Sequence, residues 1–97
     1  MHPESEYDEI VLFDTPPAHA DELWIRLQAS RLTWVHRTDD RLFVVTALRA
    51  EPSDLARLLR DVQAWLADSG LLYLTFLLDG REYELQARAE ALADRAA

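Results

Sequence analysis

The segment of residues 71–86 constrains the fold of this chain more than any other. It reads LLYLTFLLDGREYELQ, an almost wholly apolar run followed by Asp79-Gly80 and then by alternating charged and apolar residues. A two-residue type I′ turn needs positive φ at both central positions, and Asp-Gly between two such runs is a strong signal for it. The segment therefore predicts a buried strand that folds back on a half-exposed one.

The rest of the chain predicts two helices and three further strands. The predicted elements are a strand around residues 10–13, a helix over 18–29, a hairpin of strands 32–36 and 41–49, and a helix from about 54 to 69. In the second helix the apolar residues recur at the spacing of one helical face, and Gly70 is a natural left-handed stop. The order β-α-β-β-α-β-β is typical of a ferredoxin-like, split β-α-β sandwich with one added strand. We expect an antiparallel sheet with both helices on one face.

The two ends are predicted to add little to this domain, which we expect to span residues 1–97. Residues 1–8 contain three acidic and no basic side chains, which indicates an acidic flexible tail. Residues 87–97 are rich in Ala, Arg and Glu and predict a short appended helix.

The charge balance excludes some classes of partner. Eighteen acidic residues stand against ten basic ones, for a net charge of −8. Nonspecific nucleic-acid binding needs clustered cations, so we expect no nucleic-acid partner, and a basic protein partner fits better. The absence of Cys removes disulfides, thiolate metal sites and Cys nucleophiles. No apolar run approaches the ~20 residues that span a bilayer, so we expect no membrane contact and a cytoplasmic protein.

Hairpin turns set the register and so sort side chains onto the two faces of the sheet. In the last hairpin, the face predicted to meet the helices carries Leu74, Phe76, Leu78, Tyr83 and Leu85. With a turn at Asp39-Asp40, Trp34 shares a face with Phe43, Val45 and Ala47, and we expect the helices to cover this Trp34 face. The predicted interaction face is then the opposite one, lined by Val35, Arg37, Leu42, Val44, Tyr73, Leu77, Glu82 and Glu84.

An apolar centre with a charged rim is how contact surfaces are built. We expect this interaction face to be covered by the same face of a second copy. Two alternatives remain open: the C-terminal segment folds back over the face, or the face stays exposed to water.

Few residues carry a signal for chemistry. His36, next to the predicted turn, and Trp34 are the candidate ligand-binding residues, and His19 with Glu22 forms an i,i+3 pair. No two His have the spacing of a zinc site, no Ser lies in a Gly-flanked elbow, and there is no Gly-rich loop. We therefore predict no metal, no cofactor and no catalytic residue.

Three classes of function remain, of which a non-enzymatic protein-interaction, adaptor or regulatory domain is favoured. The second class is a small-ligand regulatory module that binds at a dimer interface. The third is a cofactor-independent dimeric α+β barrel enzyme, and there the residues to test are Trp34, His36, Arg37 and Tyr73. A closed pocket of ~300 Å³ or more, lined by His36 or another titratable group, would favour the last two classes.

Overall fold

The computed structural model describes residues 7–87, with seven elements. They are β1 (Tyr7–Asp14), α1 (Pro17–Gln28), β2 (Thr33–Arg37), β3 (Leu42–Arg49), α2 (Asp54–Ser69), β4 (Tyr73–Leu78) and β5 (Arg81–Gln86). β1 begins two residues inside the segment predicted as a tail, and residues 1–6 lie outside the described residues. The predicted helix over 87–97 also lies outside them, apart from Ala87.

The strands form one five-stranded sheet in the order β2-β3-β1-β4-β5, and every neighbouring pair is antiparallel. β3 lies between β1 and β2, and β1 lies between β3 and β4, so each of the two β-α-β units is split by a strand of the other. This is the ferredoxin-like order, with β5 added outside β4. The predicted α+β class and element order are confirmed.

The turn between β4 and β5 has the predicted geometry. Asp79 and Gly80 both have positive φ, 53° and 76°, and Leu78 pairs with Arg81 across the turn. Gly70 likewise has a φ of 77° and ends α2, as its position in the sequence predicted. Both glycines therefore lie at positions where the backbone adopts a left-handed conformation, which glycine favours.

Replacing Gly80 by alanine should lower the free energy of unfolding by about 1–2 kcal/mol, because a Cβ destabilises the left-handed conformation. A Cβ built at this position meets no atom within 4 Å, so the cost comes from the backbone alone. Gly80→Asn is the matched control and should recover much of the loss, since Asn tolerates positive φ. Urea denaturation measures all three proteins, and equal stability of Gly80→Ala and the parent would contradict a left-handed turn.

Both helices pack on one face of the sheet and enclose the core. α1 supplies Leu23 and Leu27, and α2 supplies Leu58, Val62 and Leu66, all fully buried. The sheet residues beneath them are Val11, Phe13, Leu42, Val44, Leu74, Phe76 and Leu85. The rings of Phe13 and Phe76 lie 5.8 Å apart on neighbouring strands at the centre of this layer.

The predicted face of the β2–β3 hairpin is wrong, although its predicted register is confirmed. Val44 pairs with Phe13 on one side and with Val35 on the other, so this face of the hairpin meets the helices. Leu42 and Val44 are buried in the core, whereas Trp34, expected there, is 39% exposed on the opposite face. β3 is buried at seven consecutive positions. Its apolar residues therefore fit either face, and alternation could not decide between them.

Asp54 lies at the start of α2 and ties three segments together. Its two carboxylate oxygens accept hydrogen bonds from Arg31, after α1, at 3.0 and 3.1 Å. The backbone N–H of Arg49, at the end of β3, donates to the same carboxylate at 2.8 Å. Burial alone raises the pKa of Asp54, but the hydrogen bonds from Arg31 and Arg49 and the positive charge of Arg31 outweigh it, so the pKa lies below its usual value.

Neither Asp14 nor Thr15, the polar residues just before α1, caps this helix. The N-cap residue is Pro16, and no side chain caps the helix. Thr15 instead donates from its hydroxyl to the carbonyl of Phe13 at 2.9 Å. Asp14 instead accepts a hydrogen bond from Nε of Arg41 at 3.0 Å.

Candidate functional site

The face of the sheet opposite the helices, called the open face from here, carries two rows of side chains across all five strands. The strand register places each row as a line of directly paired residues. The apolar row is Trp34, Val45, Leu12 and Leu77, and Glu82 on β5 continues its line. The polar row is His36, Phe43, Asp14, Thr75 and Glu84.

The apolar row forms a band across four strands in which exposure is uneven: Trp34 is exposed, Leu12 and Leu77 are partly exposed, and Val45 on β3 is only 2% exposed. Neighbouring strands are about 4.8 Å apart, so the band is about 14 Å long between the axes of its outer strands. Ile10, which is 43% exposed, widens it on one side, whereas its paired residue Ala47 is buried. Between β1 and β4 the band dips into a shallow hollow of about 360 Å³, lined in part by Ile10, Leu12 and Leu77. The apolar surface that another molecule can reach is therefore Trp34 at the β2 end and the region of Ile10, Leu12 and Leu77 on β1 and β4.

The polar row and its neighbours form a charged end of the open face. Arg41 donates from Nε to Asp14 at 3.0 Å, and its Nη2 lies 3.8 Å from a carboxylate oxygen of Glu82. Its guanidinium also lies 5.2 Å from the centre of the Phe43 ring, on which His36 stacks at 6.3 Å. The hydrogen bond and negative charge of Asp14 raise the pKa of Arg41 above its usual value. Arg41 is thus held as a cation at this end of the face.

The eight residues of the predicted interaction face divide between the two faces of the sheet. Tyr73, Leu77, Glu82 and Glu84 lie on the open face, as predicted. The other four, Val35, Arg37, Leu42 and Val44, belong to the helix-covered face. Leu42 and Val44 are buried, so they cannot belong to an exposed surface, while Val35 and Arg37 are exposed at the β2 edge.

The candidate ligand-binding residues, Trp34 and His36, lie on the open face. The sequence analysis missed the contribution of β1, which supplies Ile10, Leu12 and Asp14 to the same face. A signal for it existed: residues 10–13 are apolar at all four positions. A strand that is apolar on both sides is typical of the centre of a sheet whose second face also makes contacts.

A cleft of about 720 Å³ lies at one end of the sheet and borders the open face at Asp14, Tyr73 and Thr75. Its walls are the connections of residues 14–17, 37–42 and 70–75. The volume is in the range of small-ligand sites, about 300–1,000 Å³. Its lining includes three acidic and two basic side chains, and Arg41 is already bound to Asp14. Neither Trp34 nor His36 lines this cleft, whereas Arg37 and Tyr73, the other two residues to test for the enzyme class, do.

Metal and membrane signals are few in the part of the chain that the structure describes. His19 Nδ1 lies 3.4 Å from Glu22 Oε1, so this predicted pair does form. Within residues 7–87, no three or more His, Asp or Glu side chains are grouped so as to hold a metal ion. No helix in the same range is long and apolar enough to cross a membrane.

Comparisons with family models, curated proteins and solved structures find no match for this chain. The open face therefore has to be interpreted from its own chemistry.

Proposed function

We propose that this protein is a non-enzymatic protein-interaction domain that forms a homodimer through the open face. One observation carries the proposal: apolar side chains of the open face are exposed or partly exposed on three strands, Trp34 on β2, Ile10 and Leu12 on β1, and Leu77 on β4. Single exposed apolar residues are common on protein surfaces, but a contiguous apolar patch rimmed by charges marks an interaction site.

The size of the open face suits a stable contact. Five strands at about 4.8 Å spacing and about six residues of strand length give about 24 by 20 Å, or about 500 Å² in projection. Standard interfaces bury about 600–1,000 Å² per partner. The projected area of the face is thus near the lower end of this range, and most of the accessible part lies outside β3, where Phe43, Val45 and Ala47 are buried.

A second copy is the occupant that fits the face best. In a two-fold contact the same patch meets itself, so the apolar row of each copy covers the apolar row of the other. Two sheets packed face to face in this way form a sandwich with a core about 10 Å thick. The candidate ligand residues, Trp34 and His36, then become part of this contact.

A matched pair of isoleucines provides the test. Ile10 is 43% exposed on the open face, and Ile25 is 56% exposed on α1. Ile10→Glu should weaken dimerisation at least about tenfold, because each dimer would bury two unpaired carboxylates. Ile25→Glu makes the same chemical change on the helical side and should leave the dimer intact. Sedimentation at several micromolar concentrations measures both dissociation constants.

Circular dichroism must show that both variants keep the fold of the parent. Leu77→Glu, on the neighbouring strand, should repeat the effect of Ile10→Glu. A parent chain that sediments as an 11.2 kDa monomer would overturn the proposal, and so would equal weakening by the two isoleucine variants.

A further inference from the structure

Charge is distributed unevenly between the two edges of the open face. The β5 edge carries Glu82 and Glu84, and the Glu84 carboxylate accepts a hydrogen bond from Gln86 that keeps it at this edge. The β2 edge carries Trp34 and His36 on the open face. One edge thus presents two carboxylates, of which Glu82 also lies 3.8 Å from Arg41, and the other presents side chains with hydrogen-bond donors.

Face-to-face sheets whose strands are nearly aligned can be related by two kinds of two-fold axis lying between them. An axis parallel to β1 exchanges the edges, so β5 of one copy covers β2 of the other, and each row stays over the same row. An axis perpendicular to β1 keeps the strand order, so β5 covers β5.

The charges discriminate between these two arrangements. With the axis parallel to β1, Glu84 of each copy faces His36 of the other, and Glu82 faces Trp34, whose indole N–H is a donor. Leu12, on the central strand, then lies near the axis and meets itself. With the perpendicular axis, Glu82 and Glu84 of both copies meet, and such a contact between like charges disfavours the complex.

We propose that the partner of the open face is a second copy bound with its two-fold axis parallel to β1, so that the acidic β5 edge covers the β2 edge. This inference rests on the proposed homodimer. It names the residues that select the arrangement, Glu84 and His36, and it assigns the charged rim the role of fixing orientation while the apolar row supplies the contact area.

A charge-exchange experiment tests the arrangement. Glu84→Arg and His36→Glu should each weaken the dimer about tenfold or more, because the first removes the acceptor that faces His36 and the second places two carboxylates opposite each other. The double variant should restore the dissociation constant to within about threefold of the parent. Residues 36 and 84 are separated by four strand spacings within one copy, about 19 Å. Coupling between them therefore reports a contact between copies rather than within one.

The control is Glu22→Arg, the same substitution at an exposed position of α1, which should change nothing. Two kinds of failure are distinguishable. If the parent chain is a monomer, the homodimer itself is overturned. If the parent is a dimer but Glu84→Arg tightens it, or the double variant fails to restore it, the homodimer stands and the parallel axis is overturned.

Discussion

Asp54→Ala is expected to lower the free energy of unfolding by about 3–5 kcal/mol, the cost of leaving a buried charge without its partner. The total stability of a domain of this size is about 5–15 kcal/mol, so this is a large share of it. Arg31 would lose both of its hydrogen bonds to the carboxylate, and the backbone N–H of Arg49 would lose its acceptor. Chemical denaturation followed by circular dichroism measures the loss.

Asp61→Ala is the matched control, because it removes an acid–arginine pair of similar length at the surface. Asp61 accepts from Arg26 at 2.9 Å, but both side chains are more than one third exposed. Exposed pairs contribute about 0–1 kcal/mol, so the control should be nearly neutral. Equal losses in the two variants would show that the Arg31–Asp54 pair is not buried as described.

The stability loss caused by Asp54→Ala should depend on pH, and the direction of that dependence follows from the lowered pKa of Asp54. A group whose pKa is lower in the folded state contributes stability above its unfolded-state pKa, about 3.9 for Asp, and this is lost as the pH falls through the folded value. The stability difference between the parent and Asp54→Ala should therefore be largest near neutral pH and shrink below about pH 4. A difference that grows on acidification would contradict the direction of the shift.

Leu58→Ala is expected to cost about 2–5 kcal/mol, because it opens a cavity between α2 and the sheet. Leu58 is fully buried, whereas Leu72, in the connection before β4, is 67% exposed. Leu72→Ala deletes the same atoms and should change the stability by no more than about 0.5 kcal/mol. Urea midpoints at constant slope compare the two, and similar effects would mean that the helix-covered face is not the core.

Several features of this fold were predictable because they depend on neighbours in the chain. The turn at Asp79-Gly80 and the stop at Gly70 need positive φ, and short-range chemistry reveals that need. The faces of β4 and β5 were also assigned correctly, since β5 alternates Glu82 and Glu84 with Tyr83 and Leu85. A two-residue turn then transfers this alternation to β4.

The face of the β2–β3 hairpin was not predictable in the same way. Residues 42–45 are apolar at both alternate positions because β3 is flanked by strands on both sides and buried on both faces. Which side the helices cover depends on the path of α1 over the sheet, and that path has no local signature. Half of the predicted interaction face was misplaced for this reason, and β1 was left out of it.

Leu58 and Asp54, the sites of the two largest predicted effects, differ in the same way: one depends on local spacing and the other on long-range packing. The apolar stripe that contains Leu58 follows from residue spacing along one helix, and its burial was expected. The partner of Asp54 lies 23 residues away in the chain, and only the packing of α1, β3 and α2 brings the two together. Local spacing thus specified the elements, their turns and one core face. Long-range packing decided which apolar side of β3 the helices cover and hence which residues form the open face.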